Sequence, residues 1–110
     1  MSIVTCVNKN VPFLASEGFL QAGGVAHGFS TREGGVSEGT YATLNLGFCR
    51  GDDREKVLEN YRRFTAAIGA DYEGLVLSNQ VHGDTVRTVT AADKGKGIHS
   101  KGDYEADGLI

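Results

Sequence analysis

Apolar positions along the chain fall into one helical stripe and several short strand-like runs. From Asp52 to Ile68, the residues Val57, Leu58, Tyr61, Phe64 and Ile68 recur at the i, i+3, i+4, i+7 spacing that lines one face of a helix. Asp52 or Asp53 can cap this helix, Asp52 with Glu55 has capping-box spacing, and Gly69 supplies the stop. The opposite face carries Glu55, Glu59, Arg62 and Arg63 and reads as a solvated face, with Glu59 and Arg63 paired one turn apart. Leu75-Val76-Leu77 is a compact apolar run suited to a buried strand, whereas Thr85 to Thr90 alternates as a half-exposed strand does. Nearer the start, Val11 to Ala15 is a short apolar stretch in which Pro12 predicts an edge strand or a lead-in, followed by polar and glycine-rich connection. Val25 to Ser30 reads as a short strand running into a loop, Thr31 to Gly39, that contains Gly34, Gly35 and Gly39. The stretch 91–107 is polar and reads as loop, and Ala106 to Ile110 begins an apolar run in which the sequence stops.

Helix and strands together predict an α/β fold, and 110 residues at 11.7 kDa leave room for one domain with one modest core. With 40% apolar and 23% charged residues the composition is globular, and no apolar run approaches the roughly 18 residues of a membrane span. The first residues, Met1 to Cys6, lack a basic cluster followed by a long apolar stretch, so the expected location is the cytoplasm. Eleven basic against fourteen acidic residues give a net charge of -3, which excludes a basic field for nucleic acid. Cys6 and Cys49 lack C-x-x-C spacing and read as two free thiols. The 16 glycines beside a single proline are about twice the ~7% of an average chain, a sign of tight turns or of backbone approaching something closely.

Three segments carry side chains suited to chemistry. Ser30-Thr31-Arg32-Glu33-Gly34-Gly35 combines a guanidinium, hydroxyls and glycine amides, the ingredients of an anion site, without the spacing of a P-loop. Taken alone it reads more readily as a glycine-rich turn with a surface arginine. Gln80-Val81-His82-Gly83 places an imidazole in a loop between two strands, a fair position for a metal ligand or general base, though one histidine is not a metal site. The other candidate ligands, His27, His99, Cys6 and Cys49, stand at no informative spacing. In Thr43-Leu44-Asn45-Leu46-Gly47, Asn45 faces away from its apolar neighbours and can bond a ligand or its own backbone.

Assembled in order, these residues resemble the amino-terminal half of the multicopper polyphenol oxidase (laccase-like) family, also called the YfiH family, of the purine nucleoside phosphorylase type. The resemblance runs through His27-Gly28-Phe29-Ser30-Thr31-Arg32, Gly34-Gly35-Val36-Ser37, Leu44-Asn45-Leu46-Gly47, Gly51-Asp52-Asp53, Val57 with Glu59-Asn60 and Arg62-Arg63, Gln80-Val81-His82-Gly83 and Ala106-Asp107-Gly108-Leu109. Tyr61 departs from it, standing where a basic residue is more usual.

The resemblance implies part of a three-layer α-β-α sandwich with a mixed sheet, with residues 1–110 as a single partial domain, apparently truncated. It implies a zinc or copper site that takes His82, with a cysteine and a second histidine beyond Ile110. It also implies a purine nucleoside and phosphate as substrates, for phosphorolysis or for deamination of adenosine by a metal-held hydroxide. Phenol oxidation and hydrolysis of peptidoglycan precursors are the family's other described activities. Catalytic roles fall to Arg32 and His82, and substrate contacts to Ser30, Arg32, Asn45 and Gln80. The contrasting expectation is a non-catalytic remnant that binds an anion or a partner, or self-associates, through an exposed sheet edge.

Overall fold

The computed structural model describes residues 2–48, 51–100 and 105–110, and the chain divides into two compact units, 1–70 and 71–110. In the first unit, β1 (Ile3–Asn8) and β2 (Val11–Ser16) form an antiparallel hairpin. Lys9 and Asn10 close it with both φ angles positive, the backbone that a two-residue hairpin turn requires. A short helix α1 (Glu17–Ala22) follows, capped by Ser16, whose side chain accepts from the Phe19 amide. β3 (Phe29–Ser30) then adds to the other side of β2.

The proline-bearing strand is therefore central, in the order β1-β2-β3, and not the edge expected from Pro12. The β2–β3 ladder covers only Phe13 and Leu14, so the proline stands outside it. Only Phe29 and Ser30 of the strand expected over 25–30 pair with β2; the residues before them connect.

Alternation along β2 sends Val11, Phe13 and Ala15 inward, where they form the core with Leu44 and Ala67. Val4, Cys6, Leu46, Phe64 and Ile68 pack against it. Cys6 is a free thiol in this packing, and Cys49 lies outside the described residues.

The helix expected over 52–68 is α2 (Arg54–Ile68). Asp53 is its cap, accepting from the Glu55 amide at 3.0 Å, and Gly69 ends it in the left-handed conformation. Val57 is fully buried, which stabilises the unit by roughly 1.5–3 kcal/mol. The buried stripe also takes in Asn60, Thr65 and Ala67, residues outside the predicted apolar face. On the outer face Glu59 pairs with Arg63 as expected, and Arg62 joins it.

In the second unit, β4 (Val86–Arg87) and β5 (Gly108–Leu109) pair in parallel. The strand expected over 85–90 narrows to two exposed residues, while the apolar run at 106–110 does start a strand. Leu75-Val76-Leu77 is half-buried and forms no strand. Its backbone is met singly by the turn at 95–96: Gly95 N–H donates to the Leu75 carbonyl at 2.7 Å, and Leu77 N–H to that of Lys96 at 2.9 Å. Ile98 and Ala106 are the buried apolar residues of this unit. No described helix is long and apolar enough to cross a membrane.

Candidate functional site

Ser30 ends β3, and the chain leaves the sheet at Arg32 to meet the segment 42–47. The Arg32 carbonyl accepts from the Thr43 amide at 2.7 Å, the Leu44 amide at 2.9 Å and the Thr43 hydroxyl at 3.2 Å. The Arg32 side chain lies along the same segment, its Nε and one terminal nitrogen both donating to the Ala42 carbonyl at 3.4 Å. One edge of the guanidinium is thus held in place. The other terminal nitrogen has no protein partner among the described residues, and no described carboxylate pairs with this arginine. Ser30, Arg32, Tyr41, Ala42, Leu44 and Asn45 line an open cleft of about 760 Å³.

The glycine-rich loop serves the fold, as the turn favoured by its composition does. Four of its amides are taken up by the protein: Glu33 N–H donates to the Thr31 hydroxyl, Gly35 to the Thr43 hydroxyl, Val36 to Asn60 Oδ1 and Ser37 to the Thr43 carbonyl. Gly35 is required by close packing, since a Cβ there would collide with Thr43 O, Asn60 Oδ1 and Leu44 Cα. Of the anion-holding groups first assembled from this loop, the guanidinium and the Ser30 hydroxyl remain available, whereas the Thr31 hydroxyl accepts from Glu33 N–H and donates to the Pro12 carbonyl.

Asn60 is what holds the two cleft segments together. Fully buried on α2, it accepts from the Val36 amide and donates to Ser37 Oγ and the Asn45 carbonyl, each at 2.8 Å. The Ser37 hydroxyl in turn donates a hydrogen bond to Asp52 Oδ2 at 2.5 Å. That bond outweighs desolvation and, with bonds from Asn45 and the Asp53 amide and the charge of Lys56, holds the Asp52 carboxyl below the ordinary range. The stability contributed by the ionised Asp52 carboxylate is therefore fully present at neutral pH and is lost as pH falls through that lowered value. Reading for exposed polar groups missed Asn60; the available signal was an amide at i+3 from Val57 on the apolar side of the helix.

Asn45 lines the cleft, yet its side chain is largely committed to the fold. Its Oδ1 accepts from the Gly47 amide at 3.1 Å, and its Nδ2 donates to Asp52 and to the Gly47 carbonyl. It combines the self-bonded turn with a place on the cleft wall.

Gln80 and His82 belong to the second unit. Both are exposed, and neither side chain has a hydrogen-bond partner among the described residues. His82 adopts left-handed backbone, φ 62°, at a cost of roughly 1–2 kcal/mol for a residue with a Cβ. The remaining histidines serve structure. His27 Nε2 accepts from the Ser16 amide at 2.9 Å with its ring edge-on to Phe19, and His99 donates to the Tyr72 carbonyl at 2.9 Å.

A model of the multi-copper polyphenol oxidoreductase laccase family matches residues 26–110. The chain belongs to that family. This laccase-family chain is 38% identical over 87 residues to Purine nucleoside phosphorylase YlmD of Geobacillus stearothermophilus, across 74% of this chain and 32% of that protein. It is 43% identical over 86 residues to the Purine nucleoside phosphorylase of Deinococcus radiodurans, across 78% of this chain and 30% of that one. Among solved structures, Bacillus licheniformis YfiH superposes with a TM-score of 0.68 at 30% identity, covering 74% of this chain and 32% of that chain. The G. stearothermophilus YlmD structure does so at 0.61 and 40%, covering 66% and 27%. The chain thus matches about a third of the length of these relatives.

The family name implies copper, and the resemblance implies zinc or copper at His82. An exposed imidazole without a protein partner fits one metal ligand. Among the described residues, no three His, Cys, Asp or Glu side chains gather to complete a site.

Proposed function

We propose that this chain forms part of a purine nucleoside phosphorylase in which Arg32 and Ser30 hold the attacking phosphate. The supporting observation is the cleft that unites Ser30, Arg32 and Asn45, with an unpaired terminal nitrogen on an arginine already fixed along its other edge. In phosphorolysis a phosphate oxygen bonds to C1′ of the ribose as the bond to the purine nitrogen breaks, yielding ribose 1-phosphate and the free base. Arg32 positions the phosphate and offsets its charge while positive charge develops on the sugar, and Ser30 donates a hydroxyl proton to a second phosphate oxygen. Gln80 is proposed as a nucleoside contact and Asn45 as cleft wall. His82 is proposed as one ligand of a zinc or copper ion, the rest of the ligand set coming from outside the described residues.

In the full-length natural protein, Arg32→Ala is expected to raise KM for phosphate about tenfold or more, as loss of a charge-assisted hydrogen bond does. KM for inosine stays within about twofold. Arg32→Lys falls between, because it restores charge without the planar fork. An unchanged phosphate dependence in Arg32→Ala removes this residue from the mechanism.

A further inference from the structure

We propose that Asp107 is a positioning residue for His82. The inference rests on the reading of His82 as a metal ligand and concerns how this chain presents that imidazole. Asp107 stands 25 residues away in the Ala106-Asp107-Gly108 segment, yet its carboxylate accepts three successive amides of the histidine loop. Val81 N–H donates to Oδ1 at 3.1 Å, His82 N–H to Oδ1 at 2.9 Å and Gly83 N–H to Oδ2 at 2.7 Å.

Three consecutive N–H groups turn toward one anion only when the backbone curls around it, and the left-handed φ of His82 is that curl. Gly83 permits the approach, since a Cβ there would come within 3.3 Å of Asp107 Oδ2. The bonds engage the His82 main chain and leave its ring without a protein partner among the described residues. Asp107 itself follows Ala106, which is fully buried and whose amide donates to the Asn79 carbonyl at 3.1 Å. The anchor is thereby fixed to the unit's interior at one end and to the histidine loop at the other. A ligand set gains from a histidine whose main chain is held in one place, because the backbone entropy of presenting that side chain has already been lost on folding.

The test compares the full-length natural protein with His82→Ala, Asp107→Ala and Asp107→Asn. It measures zinc and copper retained per chain after dialysis, together with kcat and KM for inosine and phosphate. His82→Ala is expected to lose both metal and turnover. Asp107→Ala should retain at least threefold less metal and lose at least tenfold in kcat, with KM for phosphate within twofold, a split that general loosening would not produce. Asp107→Asn keeps one acceptor oxygen and presents an NH2 where the other stood, so it should recover part of both losses while remaining at least threefold below wild type in kcat. Wild-type metal and kcat in Asp107→Ala, or in Asp107→Asn if the alanine variant does not fold, beside a His82→Ala protein that has lost both, overturns this inference alone. Wild-type metal and turnover in His82→Ala overturns the assignment of His82 and the inference with it.

Discussion

Replacing Asn60 with leucine will destabilise the first unit by about 3 kcal/mol or more, although the two side chains are close in size. The substitution removes three hydrogen bonds at a residue with no solvent exposure. Leucine leaves the Val36 N–H and the Asn45 carbonyl without partners, each at about 1–3 kcal/mol when buried. Ser37 suffers less, since its hydroxyl still donates to Asp52. Asn60→Asp should do no better, because it replaces the amide donor by an oxygen facing the Asn45 carbonyl. Urea unfolding followed by far-ultraviolet circular dichroism, which α2 dominates, measures the change. A difference below about 0.5 kcal/mol would mean that Asn60 does not hold the cleft segments together.

Gly35→Ala is expected to cost about 2–3 kcal/mol, in the upper range for overpacking a filled interior. The new methyl would meet the Thr43 carbonyl and Leu44 Cα, which are backbone, and Asn60 Oδ1, which the Val36 amide already holds. None of these can move without breaking the bonds that join the segments 32–37 and 42–45. Gly18 supplies the internal contrast: it lies within α1 with only Ser16 Oγ nearby, at 3.7 Å. Gly18→Ala should be neutral or stabilise by up to about 1 kcal/mol through helix propensity. Equal melting temperatures for the two variants would show that Gly35 is not packed as described.

What could be read in the sequence was whatever depended on local periodicity. The stripe Val57, Phe64 and Ile68 located α2, and Gly69 marked its end, because an amphipathic helix repeats its signal over several turns. The β1–β2 hairpin passed unread: Ile3 to Asn8 carries apolar residues at 3, 4, 6 and 7 without period-two alternation, Lys9-Asn10 is a weak turn signal beside Asn-Gly, and its positive φ angles are visible only in the fold. Leu75 to Leu77 misled in the other direction, since a short apolar run does not reveal whether its backbone will meet a ladder or single bonds from a turn. For the site, Arg32 and Ser30 were nominated on side-chain chemistry, and the fold sets both on one cleft. The glycines beside them leave a turn and a ligand-facing loop both open in the sequence, and Gly35 serves packing against Thr43, Leu44 and Asn60. Asn60 and Asp107 went unassigned because their partners lie 24 and 25 residues away, beyond the reach of any local pattern.

The measurement closest to the central claim is product analysis of the full-length natural protein incubated with inosine, with and without inorganic phosphate. Phosphorolysis predicts ribose 1-phosphate and hypoxanthine in equal amounts, with neither formed when phosphate is left out. Folded protein that yields no ribose 1-phosphate, or that cleaves inosine equally well without phosphate, would contradict the assignment of Arg32 and Ser30 as the holders of the attacking group.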